Sequence, residues 1–168
     1  MFIKNFEKNF LLLRRACRIS LSPQVLCVEK VDLLAENNSV NIMPKVEELF
    51  RDAERLYEEA LKELKAGRLR NAAENAWAAT LRATDALILA RTGERPFRSD
   101  VTTRRLHELR SRDERVEVLI GRYHIRADFL HGTCFYLGVC KPAEEVRRRI
   151  VETKKYIEDA KKLAYEHY

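Results

Sequence analysis

From Lys45 onward the apolar positions fall into stripes of helical period. Leu49, Ala53, Leu56, Ala60 and Leu64 recur at steps of four and three, with Phe50, Tyr57 and Leu61 beside them. This pattern predicts an amphipathic helix, and Gly67 supplies its stop. A second stripe, Leu69, Ala72, Ala73, Ala76, Trp77, Leu81, Thr84, Leu87 and Ile88, runs to Gly93. Its alanines permit close approach of a neighbour, and the short link at 66–68 predicts that these two helices pair antiparallel. Trp77 lies on the stripe and is expected in the core rather than against a cofactor.

The segment from Gly93 to Ser99, with Pro96 inside it, reads as a loop, and Ser99 or Asp100 is expected to cap a shorter helix to about Leu109. A fourth helix is predicted from near Asp113, with Val116, Leu119, Ile120, Tyr123, Ala127, Leu130 and Cys134 on its core side, and Gly132 and Gly138 bending or ending it. Pro142 then opens a last helix carrying Val146, Ile150, Ile157, Ala160, Leu163 and Ala164. The expected fold is all-α, an up-and-down bundle of four to five helices.

Residues 1–42 break the pattern. They hold five of the seven asparagines, and their apolar run Phe10 to Leu13 stops at Arg14 and Arg15, too short for a membrane span or a signal segment. The only methionines are Met1 and Met43, and Pro44 suits the first turn of a helix. The chain is therefore divided into an N-terminal extension, 1–42, and a helical domain, 43–168. Two readings of the extension stay open: a mis-assigned start, with Met43 as the true one, or an accessory arm with a short strand near Val25 to Val31.

Composition agrees with helices. Five Gly and four Pro in 168 residues are few, and 46% hydrophobic with 35% charged residues suffices for a core inside a solvated surface. A single glutamine, Gln24, against 21 arginines fits growth at high temperature. The net charge of +6 allows attraction to phosphates, although 32 Lys and Arg against 26 Asp and Glu describe mostly a mixed, solvated surface. Cys17, Cys27, Cys134 and Cys140 make no CxxC pair and no cluster with histidine. They are expected to be intracellular thiols rather than zinc ligands or disulfides, in a cytoplasmic protein without membrane attachment.

No HExxH, no facing pair of Glu-x-x-His motifs, no Gly-rich phosphate loop and no Ser-centred elbow occurs. No metal and no cofactor are expected. What remains is a polar group on the fourth helix: Arg122, His124, Arg126, Asp128 and His131. At about 100° per residue, His124, Asp128 and His131 share one flank of the core stripe, and Arg122 and Arg126 the other. Asp128 is then within reach of either histidine. The stretch 95–126 carries nine Arg against five acids, a candidate lining for a phosphate-binding groove.

The segments Gly67 to Ala79, GRLRNAAENAWAA, and Ala127 to Tyr136, ADFLHGTCFY, resemble the archaeal PaREP family, a branch of the HEPN superfamily of helical bundles. Gly67, Ala72, Glu74 and Trp77, then Leu130, His131, Phe135 and Tyr136, carry the resemblance, which spans residues 43–168. It implies a homodimer, and in many such proteins a metal-independent ribonuclease site of the form Arg, four to six residues, His. Arg126 and His131 fit that pattern, His131 moving a proton at the ribose 2′-hydroxyl and Arg126 steadying the phosphate. With 21 Arg among 168 residues, the four histidines should give roughly one such match by chance, so the assignment rests on the wider resemblance. Residues five apart on an α-helix diverge by about 140°, so a shared phosphate would require a two-fold dimer. The expected function is a HEPN-like module binding a nucleotide, RNA or a partner protein such as a nucleotidyltransferase, with Arg122, His124 and Asp128 supporting the site. The alternative is a ribonuclease using Arg126 and His131 at a dimer groove.

Overall fold

The computed structural model describes the backbone of residues 23–166 and the side chains of residues 42–166. The chain divides into two compact units, Met1–Asn38 and Ser39–Tyr168. Every regular element among the described residues is helical: α1 (Pro23–Lys65), α2 (Leu69–Thr92), α3 (Ser99–Arg112), a 3-10 turn (Glu114–Val116), α4 (Glu117–Ile125), a π-helical segment (Arg126–Tyr136), α5 (Ala143–Val151) and α6 (Thr153–Tyr165). The unit Ser39–Tyr168 is the all-α bundle that the stripes predict. No helix among the described residues is long and apolar enough to cross a membrane.

Two glycines end helices as the sequence requires. Gly67 takes φ +75°, its N–H reaches Leu64 O at 3.1 Å, and the N–H of Arg68 reaches Glu63 O at 3.0 Å, which is the Schellman arrangement. Gly93, also at φ +75°, closes α2 through Leu89 O. Asp52 of α1 meets Arg82 of α2 at 3.1 Å, and these positions are equidistant from Gly67, as an antiparallel pair demands.

α2 is the central helix. Alanines 72, 73, 76, 79, 83, 86 and 90 along it are all buried, and so small a surface lets other helices close in on several sides. Asp52 on α1, Thr102 on α3, His131 on the π segment and Tyr156 on α6 each bond a different α2 side chain: Arg82, Asp85, Glu74 and Thr84. Trp77 is buried, as expected, with the Tyr123 ring edge-on at 5.2 Å.

Six expectations need correction. The N-cap of α3 is Arg98, without a side-chain cap, rather than Ser99 or Asp100, and the last helix breaks at Glu152 into α5 and α6. The segment Val25 to Val31 lies within α1 and is helical rather than a strand; its valines at steps of three, 25, 28 and 31, suit one helix face. Pro44 sits inside α1 and does not begin a helix; its ring holds φ near the helical value, at the cost of one N–H and of crowding the carbonyl four residues back. The fourth helix is not continuous. Asp113 accepts the N–H of Arg115 to start a 3-10 turn, α4 follows, and from Arg126 the ladder widens to five residues. That spacing recurs where Thr133 Oγ1 donates to Asp128 O at 3.0 Å and Leu137 N–H to Gly132 O at 3.1 Å. Finally, Cys134 and Cys140 are joined as a disulfide with Cα atoms 4.3 Å apart. Gly138, at φ +70°, reverses the chain between them, so the expectation of thiols fails for this pair. Cys17 and the side chain of Cys27 lie outside the described residues, as does the run Phe10 to Leu13.

Candidate functional site

The five polar residues anticipated on the fourth helix do not form one cluster. Arg126 is 1% exposed and belongs to the core. Its Nε donates to Thr153 Oγ1 at 3.2 Å, Nη1 to Arg122 O at 3.0 Å and Nη2 to Arg149 O at 3.4 Å, and the guanidinium lies 5.5 Å from the Tyr156 ring. All three acceptors are neutral. Burial, reinforced by neighbouring Arg122, lowers the guanidinium pKa to about 10, so it remains a cation at neutral pH. Arg122 flanks the same ring at 5.3 Å and donates to Asp159 at 2.5 Å. Burial pushes the Asp159 carboxyl up, but hydrogen bonds from Lys155 and Arg122 outweigh it and hold the group below its ordinary value.

The histidines find partners other than Asp128. His124 Nε2 lies 2.8 Å from His107 Nε2 of α3, whereas Asp128 is exposed and contributes only its backbone carbonyl to Thr133. His131 Nδ1 lies 2.7 Å from Glu74 Oε2 of α2, with both side chains about one-third exposed. Trp77 backs the imidazole at 5.7 Å, Phe135 stacks on it at 6.1 Å and Tyr136 meets it edge-on at 5.0 Å. Arg70, one turn before Glu74, donates to Phe135 O at 2.6 Å and rests on the Phe135 ring at 5.4 Å. His131 is thus a carboxylate-oriented imidazole open to solvent on an aromatic wall, a group able to move a proton.

The wide ladder narrows the 140° divergence expected of positions 126 and 131, since a π-helix turns less per residue than an α-helix. Their side chains nevertheless leave for different elements. Arg126 turns toward α5 and α6, and His131 toward α2.

A second locus escaped the sequence reading. A cavity of about 730 Å³ lies between the 45–55 stretch of α1, the far half of α2 and the loop after Gly93. Lys45, Arg51, Arg55, Arg82 and Arg95 line it against two carboxylates, Glu48 and Asp52. Asp52 is shared between Arg55 at 2.6 Å and Arg82 at 3.1 Å. Lys45, Arg51 and Arg95 make no ion pair with any described residue; Arg95 instead lies 5.6 Å from the ring of Phe97, which is 86% exposed. Leu49 and Leu89 supply apolar lining. Unpaired cations beside a solvent-exposed aromatic can hold phosphate oxygens and stack a flat ring at once. No basic run in the sequence marks this locus, since the 45–55 stretch holds three cations against four carboxylates.

Comparison with protein-family models, with curated proteins and with solved structures finds no match to this chain.

Proposed function

We propose that the protein is a helical module that binds a phosphate-bearing ligand, a nucleotide or RNA, in the basic groove between α1 and the loop after α2. The observation that carries this reading is the set Lys45, Arg51 and Arg95, unpaired among the described residues, beside exposed Phe97 in a cavity of about 730 Å³. Ligand sites run from about 300 to 1,000 Å³, so one nucleotide fits. The resemblance to HEPN proteins in the α2 and 127–136 segments supports nucleotide or RNA binding as the class of function and implies a homodimer. Titration of ATP and of a labelled RNA oligonucleotide into wild type and into Lys45→Glu/Arg51→Glu tests it; binding in wild type that the charge reversals abolish is the expected result.

A second reading, a ribonuclease, is favoured by the His131–Glu74 pair. In it His131 is the proton carrier and Glu74 its orienting carboxylate. The buried position of Arg126 leaves the phosphate-steadying role to another cation, and Arg70, exposed beside the same aromatic wall, is the residue placed for it. RNA cleavage that persists in chelator and is lost in His131→Ala is the outcome this reading requires.

A further inference from the structure

We propose that His107 and His124 form a two-histidine site for a divalent transition metal of the zinc, nickel or copper type, joining α3 to α4. The site is separate from the basic groove and from His131, so its failure leaves the phosphate-binding reading where it stood.

The two imidazoles meet across the α3–α4 contact with Nε2 atoms 2.8 Å apart, ring centroids at 5.1 Å and planes inclined by 35°. Neither ring has a carboxylate partner among the described residues. The centroid separation exceeds the Nε2 separation by two ring radii, so the nitrogens face each other head-on, and without an ion one must hold a proton for the other. A divalent ion takes the place of that shared proton. Metal–nitrogen bonds of about 2.0 to 2.1 Å put two tetrahedral ligands roughly 3.3 Å apart, so the rings must part by about half an ångström and each turn by roughly 35° from the head-on direction. His107 is exposed and His124 half-buried, which leaves the rings freedom for that rotation and gives the ion a path from solvent.

The framework behind the pair is fixed. Thr103, one turn before His107, shares a hydrogen bond of 3.0 Å with the hydroxyl of Tyr123, the neighbour of His124, and the Tyr123 ring meets His124 edge-on at 5.6 Å. The helices are therefore pinned at the level where the histidines meet, and orientation of ligand rings by surrounding contacts is what a metal site needs. Among the described residues no set of three or more metal-type ligands converges, so two protein nitrogens are offered and water fills the remaining positions. Imidazole donors select zinc, nickel and copper over magnesium and calcium.

The test uses the full-length chain without a histidine tag, stripped with chelator and dialysed. ZnCl2 is titrated calorimetrically at pH 7.5, with thermal unfolding followed in parallel. Wild type should bind with micromolar affinity and melt several degrees higher with zinc. His107→Ala and His124→Ala, and the isosteric His107→Gln and His124→Gln, should each weaken binding about tenfold or more and remove the thermal shift, while His131→Ala should keep both. Circular dichroism of each variant confirms that the helices are intact. Absence of zinc binding by wild type, or affinity that survives loss of either histidine, overturns the proposal.

Discussion

His131 Nδ1 and Glu74 Oε2 lie 2.7 Å apart and join the π segment to the central helix. The bond holds the imidazole with one nitrogen committed and the other available to solvent. Because both side chains are about one-third exposed, the pair is worth little more than a surface ion pair. A double-mutant cycle of Glu74→Ala and His131→Ala, read by chemical denaturation, should give a coupling of about 0.5 to 1 kcal/mol. Zero coupling would mean that the contact adds nothing to stability.

Arg126 behaves differently. Its guanidinium fills the space beside Tyr156 and has only neutral acceptors, so truncation opens the core whereas an apolar replacement relieves a buried charge. Arg126→Ala should lose about 3 kcal/mol of stability, and Arg126→Met should stay within about 1 kcal/mol of wild type or exceed it. If Arg126→Ala kept full stability yet lost an activity, Arg126 would be a functional residue and its core role would be refuted.

Much of this fold was legible in the chain. Gly67 and Gly93 stop helices where their φ values turn positive, and the alanines of the second stripe are the buried face of α2. Arg126 was misplaced because its charge argued for a surface, although its position three after Tyr123 and four before Leu130 puts it on the core stripe itself. The π segment was not legible, since a stripe with steps of three and four does not reveal a widening of the ladder by one residue. The Cys134–Cys140 disulfide depends on the chain reversal at Gly138, which spacing alone does not show. The basic groove was hidden because its cations are spread over α1, α2 and the following loop, and only folding gathers them.

Asp85 links stability to pH. It is 3% exposed, bonded by Thr102 at 2.7 Å, and burial raises its pKa from 3.8 to about 6 against the opposing pull of Thr102 and Arg82. Between those values the folded protein keeps a proton that the unfolded chain has released, so this group's contribution to stability falls as pH rises from about 4 to about 6 and then levels off. The loss amounts to about 3 kcal/mol. Denaturation of wild type and Asp85→Asn across pH 4 to 7 should show the difference between them growing over that window in favour of the variant. Parallel curves would contradict the raised pKa.

In the proposed function the groove of Lys45, Arg51 and Arg95 holds a phosphate-bearing ligand with Phe97 stacking beside it. The decisive experiment is the binding of a fluorescent single-stranded RNA oligonucleotide and of ATP by wild type, Lys45→Glu/Arg51→Glu and Phe97→Ala, at several salt concentrations. Wild type should bind at least one of these probes, with affinity falling as salt rises. The charge reversals should abolish that binding, Phe97→Ala should weaken it about tenfold through lost stacking, and the zinc-site variants at His107 and His124 should leave it unchanged. Failure of wild type to bind either probe at low salt, or equal binding by the charge-reversed protein, would contradict the account.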